Sequence, residues 1–182
     1  PGLSLMFGHT LSVQVRQALQ ATGKSEVWEF GAGTGALALQ LLDSLGDAVA
    51  RYTIIDLSGT LRARQADTLL KHADKVRWLD AWPDTIEGVV VGNEVLDAMP
   101  VQLLVRTQGA WHERGVVWTG DAGQPVQWQD RLTDLRPPLE VPGDHDYLTE
   151  IHPQAEAFVG TLADRMNASV AAGGRGAAAF FL

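Results

Sequence analysis

Apolar residues in the first half of the chain follow two alternating rhythms. Over residues 9–21, Leu11, Val15, Ala18 and Leu19 recur at helical spacing, and Gly23 ends the run. Residues 27–30 are short, apolar and followed at once by glycines, which reads as a buried strand. Residues 34–45 return to helical spacing, with Leu37, Leu41, Leu42 and Leu45 on one face and Gly46 as the stop. Residues 52–55 are aromatic and β-branched and end on Asp56; a helix capped by Ser58 or Thr60 follows through Leu70. Residues 75–79 and 88–91 add two short strands. This alternation predicts an α/β fold, with helices layered on a mostly parallel, Rossmann-like sheet.

The middle of the chain has a different pattern. Residues 101–106 and 113–119 read as strands flanking a hairpin turn at Gln108-Gly109-Ala110, with another strand at 126–129. Pro137, Pro138, Pro142 and Gly143 then forbid regular structure. A helix over 153–170 opens on Pro153, Gly173 and Gly174 break it, and 177–182 is a last buried strand. The expected organisation is 1–100 as the first part of a cofactor-binding α/β domain, 101–149 as an antiparallel insertion, and 150–182 as the return to the same domain. A central strand that ends on the final residue, in a chain that opens on Pro1, reads as a piece of a longer protein.

Composition narrows the function classes. The chain's 182 residues carry a net charge of −8, which disfavours general nucleic-acid binding through phosphate contacts. No cysteine is present, so disulfides, thiol nucleophiles, iron–sulfur clusters and Cys-ligated zinc are excluded together. No apolar run reaches the roughly eighteen residues of a membrane span.

The sharpest motif is Glu29-Phe30-Gly31-Ala32-Gly33-Thr34-Gly35, placed where a strand turns into a helix. Its glycines allow a tight turn and close approach of the backbone to a ligand, and the helix that follows presents unpaired N–H groups. Gly31, Gly33 and Ala36 satisfy the dinucleotide fingerprint, which by itself does not separate NAD from another adenosine cofactor; the Walker A arrangement is missing. Asp56, some twenty residues further on, is placed to accept from ribose hydroxyls, or else to cap the next turn. Asp80, after the third strand, is a candidate acceptor for an adenine amino group with Trp78 or Trp82 as an apolar wall; a surface aspartate is the competing reading. Glu29 would repel a pyrophosphate and attract an amino group or sulfonium, which favours S-adenosylmethionine over NAD unless Glu29 is paired to a Lys or Arg.

The fourth strand delivers Gly92-Asn93-Glu94-Val95-Leu96-Asp97 to the carboxyl end of the sheet, where such folds bind ligands. Asn93 offers an amide to cofactor or substrate, Glu94 can accept from a guanidinium or amine, and Asp97 can support it one helical turn along. The competing reading is a group of carboxylates at a helix start. Asp144-His145-Asp146 reads as a polar loop, and no metal is expected. Glu150 either faces the pocket or caps the following helix, and Trp111, Trp118 and Trp128 read as a small core of the insertion, with a peptide-binding surface as the competing reading.

Several of these stretches together resemble the MidA-like family of class I S-adenosylmethionine-dependent methyltransferases, which includes a mitochondrial complex I assembly factor described as a protein arginine methyltransferase. Leu5-Met6-Phe7-Gly8, the loop from Val27 through Gly35, Tyr52-Thr53-Ile54-Ile55-Asp56-Leu57-Ser58 and Gly92 through Val101 carry the likeness, with Gln65, Val76, Trp78, the stretch from Trp111 to Val116, Glu150, Pro153 and Ala155 in familiar order. Family members often carry Glu where this chain has Asp56, and they extend beyond both ends of this sequence. The resemblance implies S-adenosyl-L-methionine as cofactor and a protein substrate, with arginine methylation and a respiratory-complex subunit suggested by the mitochondrial member. It implies a cytoplasmic location in a bacterium and the mitochondrial matrix in a eukaryote. An NAD-dependent oxidoreductase and a non-catalytic assembly protein that keeps a cofactor pocket are the alternatives.

Overall fold

The computed structural model describes residues 4–56 and 58–182; Leu57, in the second-strand motif, lies outside them. Two compact units emerge, one of residues 1–98 and 160–182, the other of residues 99–159.

The first unit is built on a five-stranded, wholly parallel sheet in the order β3-β2-β1-β4-β9, where β1 is Glu26–Phe30, β2 Arg51–Ile55, β3 Val76–Leu79, β4 Gly88–Gly92 and β9 Ala177–Phe181. Among the described residues, the α-helices that belong to it entirely are α1 (Leu5–Thr22), α2 (Ala36–Leu45) and α3 (Gly59–Thr68). Their ends follow from local chemistry. Ser4 caps α1 by accepting the Phe7 N–H, Gly23 closes it in the left-handed conformation, and Ser58 caps α3 by accepting the Leu61 N–H. Strand alternation puts Val27 and Glu29 of β1, Tyr52 and Ile54 of β2 and Val89 and Val91 of β4 on one face. There they form a single core with Leu11, Val15 and Leu19 of α1 and Leu37, Leu41, Leu42 and Leu45 of α2. Each of these leucines is worth roughly 1.5–3 kcal/mol when fully buried. The opposite face carries a polar ladder: the Arg77 guanidinium donates to Thr53 and Glu26, and Thr53 donates to Glu26.

The second unit holds an antiparallel sheet in the order β7-β6-β5-β8, where β5 is Gln102–Thr107, β6 Ala110–Trp118, β7 Val126–Leu132 and β8 Tyr147–Ile151. The β5–β6 hairpin turns on Gln108-Gly109, both at positive φ (52° and 77°), the backbone of a two-residue hairpin turn. Helix α4 (Pro153–Ala171) starts in this unit, and from Gly160 onward it belongs to the first.

Three expectations change. The expected return to the α/β core at 150 falls inside β8, where Glu150 pairs with Leu103 of β5. Only Trp111 enters the small core, with Leu104 and Ile151; Trp118 and Trp128 are 75% and 62% exposed. The reason is register: β5 pairs with β6 only as far as Arg114, so beyond it β6 is flanked by β7 alone. The helical turn expected to set Asp97 beside Glu94 is not formed: residues 93–99 are bends and turns.

Glu29 is the costly residue of the core. It is 2% exposed, and its Oε2 accepts from the Tyr52 hydroxyl at 2.8 Å. Burial pushes its carboxyl up from 4.5 to about 7, against the lowering effect of that hydrogen bond. Burial, with Glu29 alongside, also pushes the Tyr52 phenol well above its usual value. A raised carboxyl means that the folded chain binds more protons than the unfolded chain between pH 4.5 and about 7. The stability this group contributes is full below that window and is lost as pH rises through it. We expect the parent to lose up to about 3 kcal/mol across the window on this account, and Glu29→Gln to flatten the slope. Urea titrations at four pH values check this; an unchanged slope in a folded Glu29→Gln variant refutes it.

Candidate active site

Strand order reverses at β1, which has β2 on one side and β4 on the other. In open parallel sheets the carboxyl ends of the strands at such a point diverge and leave a crevice. Phe30 pairs with Gly92, so the loop after β1 and the turn after β4 leave the sheet from neighbouring positions.

The loop after β1 has the expected shape. Gly31, Gly33 and Gly35 all adopt positive φ, at 64°, 54° and 84°. A side chain at Gly33 would enter open space, whereas one at Gly31 would press on Val95 at 3.2 Å. Gly35 also begins α2 without a side-chain cap, so the first-turn N–H groups of that helix remain for solvent or a ligand.

Asp56 emerges from the end of β2, half-buried. Its Oδ1 accepts the Ser58 N–H at 2.8 Å, and its Oδ2 accepts the Gln65 amide N–H at 2.8 Å. The first bond is the local turn cap that competed with the ribose reading; the second fixes the carboxylate from α3. Two carboxylate oxygens have about four acceptor positions, so about two remain for the adjacent hydroxyls of a ribose. Glycine cradle, helix start and partly free carboxylate fit the nucleoside end of S-adenosylmethionine.

Glu29 stands apart from this surface. It was expected to attract a cationic cofactor group, yet it points into the core, where strand alternation and the Tyr52 hydroxyl hold it. Raised to about 7, it also carries less negative charge at neutral pH than that argument required. Asp80 lies exposed beyond the end of β3. The two tryptophans near it diverge: Trp82 packs on Phe30 with ring centroids 4.7 Å apart, while Trp78 directs its indole N–H to Gln65.

After β4, Asn93 is half-buried and Glu94 exposed. Glu94 has φ 53°, strained for a residue with a side chain, and its N–H donates to the Leu182 carbonyl. Strain of this kind collects at functional sites. Asp97 is exposed in the same run of turns, so no helical turn links it to Glu94. Glu150, on β8, belongs to the second unit. Among the described residues no cluster of three His, Asp or Glu could hold a metal ion, and no helix is long and apolar enough to cross a membrane.

Residue-by-residue reading of the sequence passed over Gln65 as a site residue; only the family resemblance touched it. It is fully buried, and its amide spans three segments: Nε2 donates to the Gly33 carbonyl at 3.0 Å and to Asp56, while Oε1 accepts from Trp78 at 2.9 Å. The signal was present in the pattern: Leu61, Gln65 and Leu69 share one helical stripe, so Gln65 is a polar residue on an apolar face.

Comparison with known proteins places this geometry. A family model described as "Putative S-adenosyl-L-methionine-dependent methyltransferase" matches residues 10–181. The crystal structure of a COG1565 superfamily member from Burkholderia thailandensis, bound to S-adenosyl-homocysteine, is 45% identical with a TM-score of 0.78 over 90% of this chain and 44% of its own. A second structure of a COG1565 protein from the same organism is 44% identical, with a TM-score of 0.75 over 87% of this chain and 45% of its own. The Caenorhabditis elegans protein named "Protein arginine methyltransferase NDUFAF7 homolog, mitochondrial" is 24% identical over 91% of this chain and 46% of its own length. The chain thus spans less than half the length of each of these relatives. The matches agree with the MidA-like resemblance and do not favour the NAD-dependent alternative. With its glycine loop and parallel sheet, and a family model matching nearly the whole sequence, the chain belongs to this family of S-adenosyl-L-methionine-dependent methyltransferases.

Proposed function

We propose that the full-length protein transfers a methyl group from S-adenosyl-L-methionine to a protein side chain, an arginine guanidinium. The observation that carries this reading is the common placement of the Gly31–Gly35 loop, Asp56 and Asn93-Glu94 at the carboxyl ends of β1, β2 and β4. The name of the Caenorhabditis elegans relative, a protein arginine methyltransferase homologue, supports arginine as the acceptor.

When bound, S-adenosylmethionine supplies an electrophilic methyl group on a sulfonium. The chain's own residues do the rest. The backbone of Gly31, Ala32, Gly33 and Gly35 allows close approach, Asp56 takes the ribose hydroxyls, and Asp80 is the candidate for the adenine amino group. Asn93, half-buried just after β4, offers an amide to cofactor or substrate. Glu94 can take a guanidinium by paired hydrogen bonds, with Asp97 adding negative charge nearby. A guanidinium is not deprotonated at neutral pH, so Glu94 acts first by alignment. The guanidinium nitrogen would attack the methyl carbon as its bond to sulfur breaks and S-adenosylhomocysteine leaves; the proton on that nitrogen becomes acidic as the N–C bond forms, and the Glu94 carboxylate can take it.

Asp56→Ala in a folded full-length protein is expected to weaken S-adenosylhomocysteine binding by about 1.5–3 kcal/mol, the worth of charge-assisted hydrogen bonds. Calorimetry against the parent decides it, and equal affinities would remove Asp56 from the cofactor site. Glu94→Gln should instead leave that affinity nearly unchanged and slow methyl transfer to the acceptor by at least about tenfold, roughly 1.4 kcal/mol in the barrier. Steady-state assay of the folded variant checks it; full activity would rule out the catalytic role, and activity lost only through weaker cofactor binding would assign Glu94 to the donor site.

A further inference from the structure

We infer that Gln65 is a positioning residue for the cofactor, acting through the Asp56 carboxylate. The inference rests on the ribose role proposed for Asp56 and deepens it.

The orientation of a glutamine amide is ordinarily ambiguous, because its oxygen and nitrogen have the same shape. Here the partners settle it. The Trp78 indole N–H can only donate, so it must meet Oε1. The Gly33 carbonyl and the Asp56 Oδ2 can only accept, so they must meet Nε2. Both amide hydrogens and one lone pair are thereby used, inside a side chain with no exposed surface. The amide cannot turn without leaving buried donors and acceptors unpaired, a costly outcome. One rigid group therefore sets both the backbone of the glycine loop and the direction of the carboxylate at the end of β2. Ser58 holds the other carboxylate oxygen, so Asp56 is clamped at both oxygens with its remaining acceptor positions directed by its neighbours.

Glutamate has nearly the same shape but offers no N–H, and it places a second carboxyl against Asp56 and against the Gly33 carbonyl. Leucine or methionine could fill the volume but would leave Asp56 free to turn. The residue requirement at this position is thus a planar side chain with one acceptor and two donors.

The test is calorimetric titration of the full-length parent, Gln65→Glu, Gln65→Met, Asp56→Ala and the Gln65→Met/Asp56→Ala double variant. Two ligands are used: S-adenosylhomocysteine and its analogue lacking both ribose hydroxyls. Folding is checked by near-ultraviolet circular dichroism, and Gln65→Met serves if Gln65→Glu does not fold. The parent should prefer the hydroxylated ligand by about tenfold or more, the worth of one good charge-assisted hydrogen bond. Both Gln65 variants should lose most of that preference, and the double variant should discriminate no less than Asp56→Ala alone. A folded Gln65 variant that keeps the parent's preference overturns the inference, as does one that weakens both ligands equally, since that is the mark of a purely structural residue. If Asp56→Ala itself keeps the preference, the ribose reading fails, and the positioning role fails with it.

Discussion

Strand β1 is flanked by β2 and β4 and its side chains are buried on both faces, so each polar group it carries must find a partner inside the protein. The Glu29 carboxyl finds the Tyr52 hydroxyl, and the Trp28 indole N–H finds the Glu87 carbonyl. The Gly33 carbonyl, in the loop that continues β1, finds the buried Gln65 amide. These bonds reach β2, the residue just before β4, and α3, so the elements around the loop are tied to the strand that delivers it. An apolar helix face on one side and fixed polar contacts at the strand's end make the glycine loop a rigid part of the sheet rather than a free surface turn.

Rigidity of this kind suits a methyltransferase. On the function proposed above, the chain holds two reactants in register, and the benefit of orientation is lost if the holding groups move. The chain applies different solutions at the two strand ends. At β2, Asp56 is held by hydrogen bonds from Ser58 and Gln65. At β4, Glu94 is held through its backbone, in a strained conformation supported by the Leu182 carbonyl.

The parallel sheet and its helices were legible because the apolar pattern there has long, clean runs: the stripe of Leu37, Leu41, Leu42 and Leu45 admits one reading. Strand β8 was not legible, since among Tyr147–Ile151 only Ile151 is buried and the strand follows a run of exposed polar residues. Trp118 and Trp128 misled because tryptophan suggests a core, while strand register strips them of a third neighbour. For the site, the positions of Asp56 and Glu94 could be read from their places after strands. Glu29 could not, because a residue one place before the end of a strand belongs to whichever sheet face its alternation dictates, and that face is the helix-covered core. Gln65 shows the converse: a mostly polar helix with a short apolar stripe hides in that stripe one polar side chain whose work is done entirely indoors.

The most direct measurement is a crystal structure of the full-length protein with S-adenosylhomocysteine. The account predicts both ribose hydroxyls within hydrogen-bond distance of the Asp56 carboxylate, the Gln65 amide still bridging Gly33, Asp56 and Trp78, and the ligand's sulfur on the side of the crevice nearer Asn93 and Glu94. A ligand bound away from the Gly31–Gly35 loop, or a ribose that leaves Asp56 paired only to protein, would contradict it.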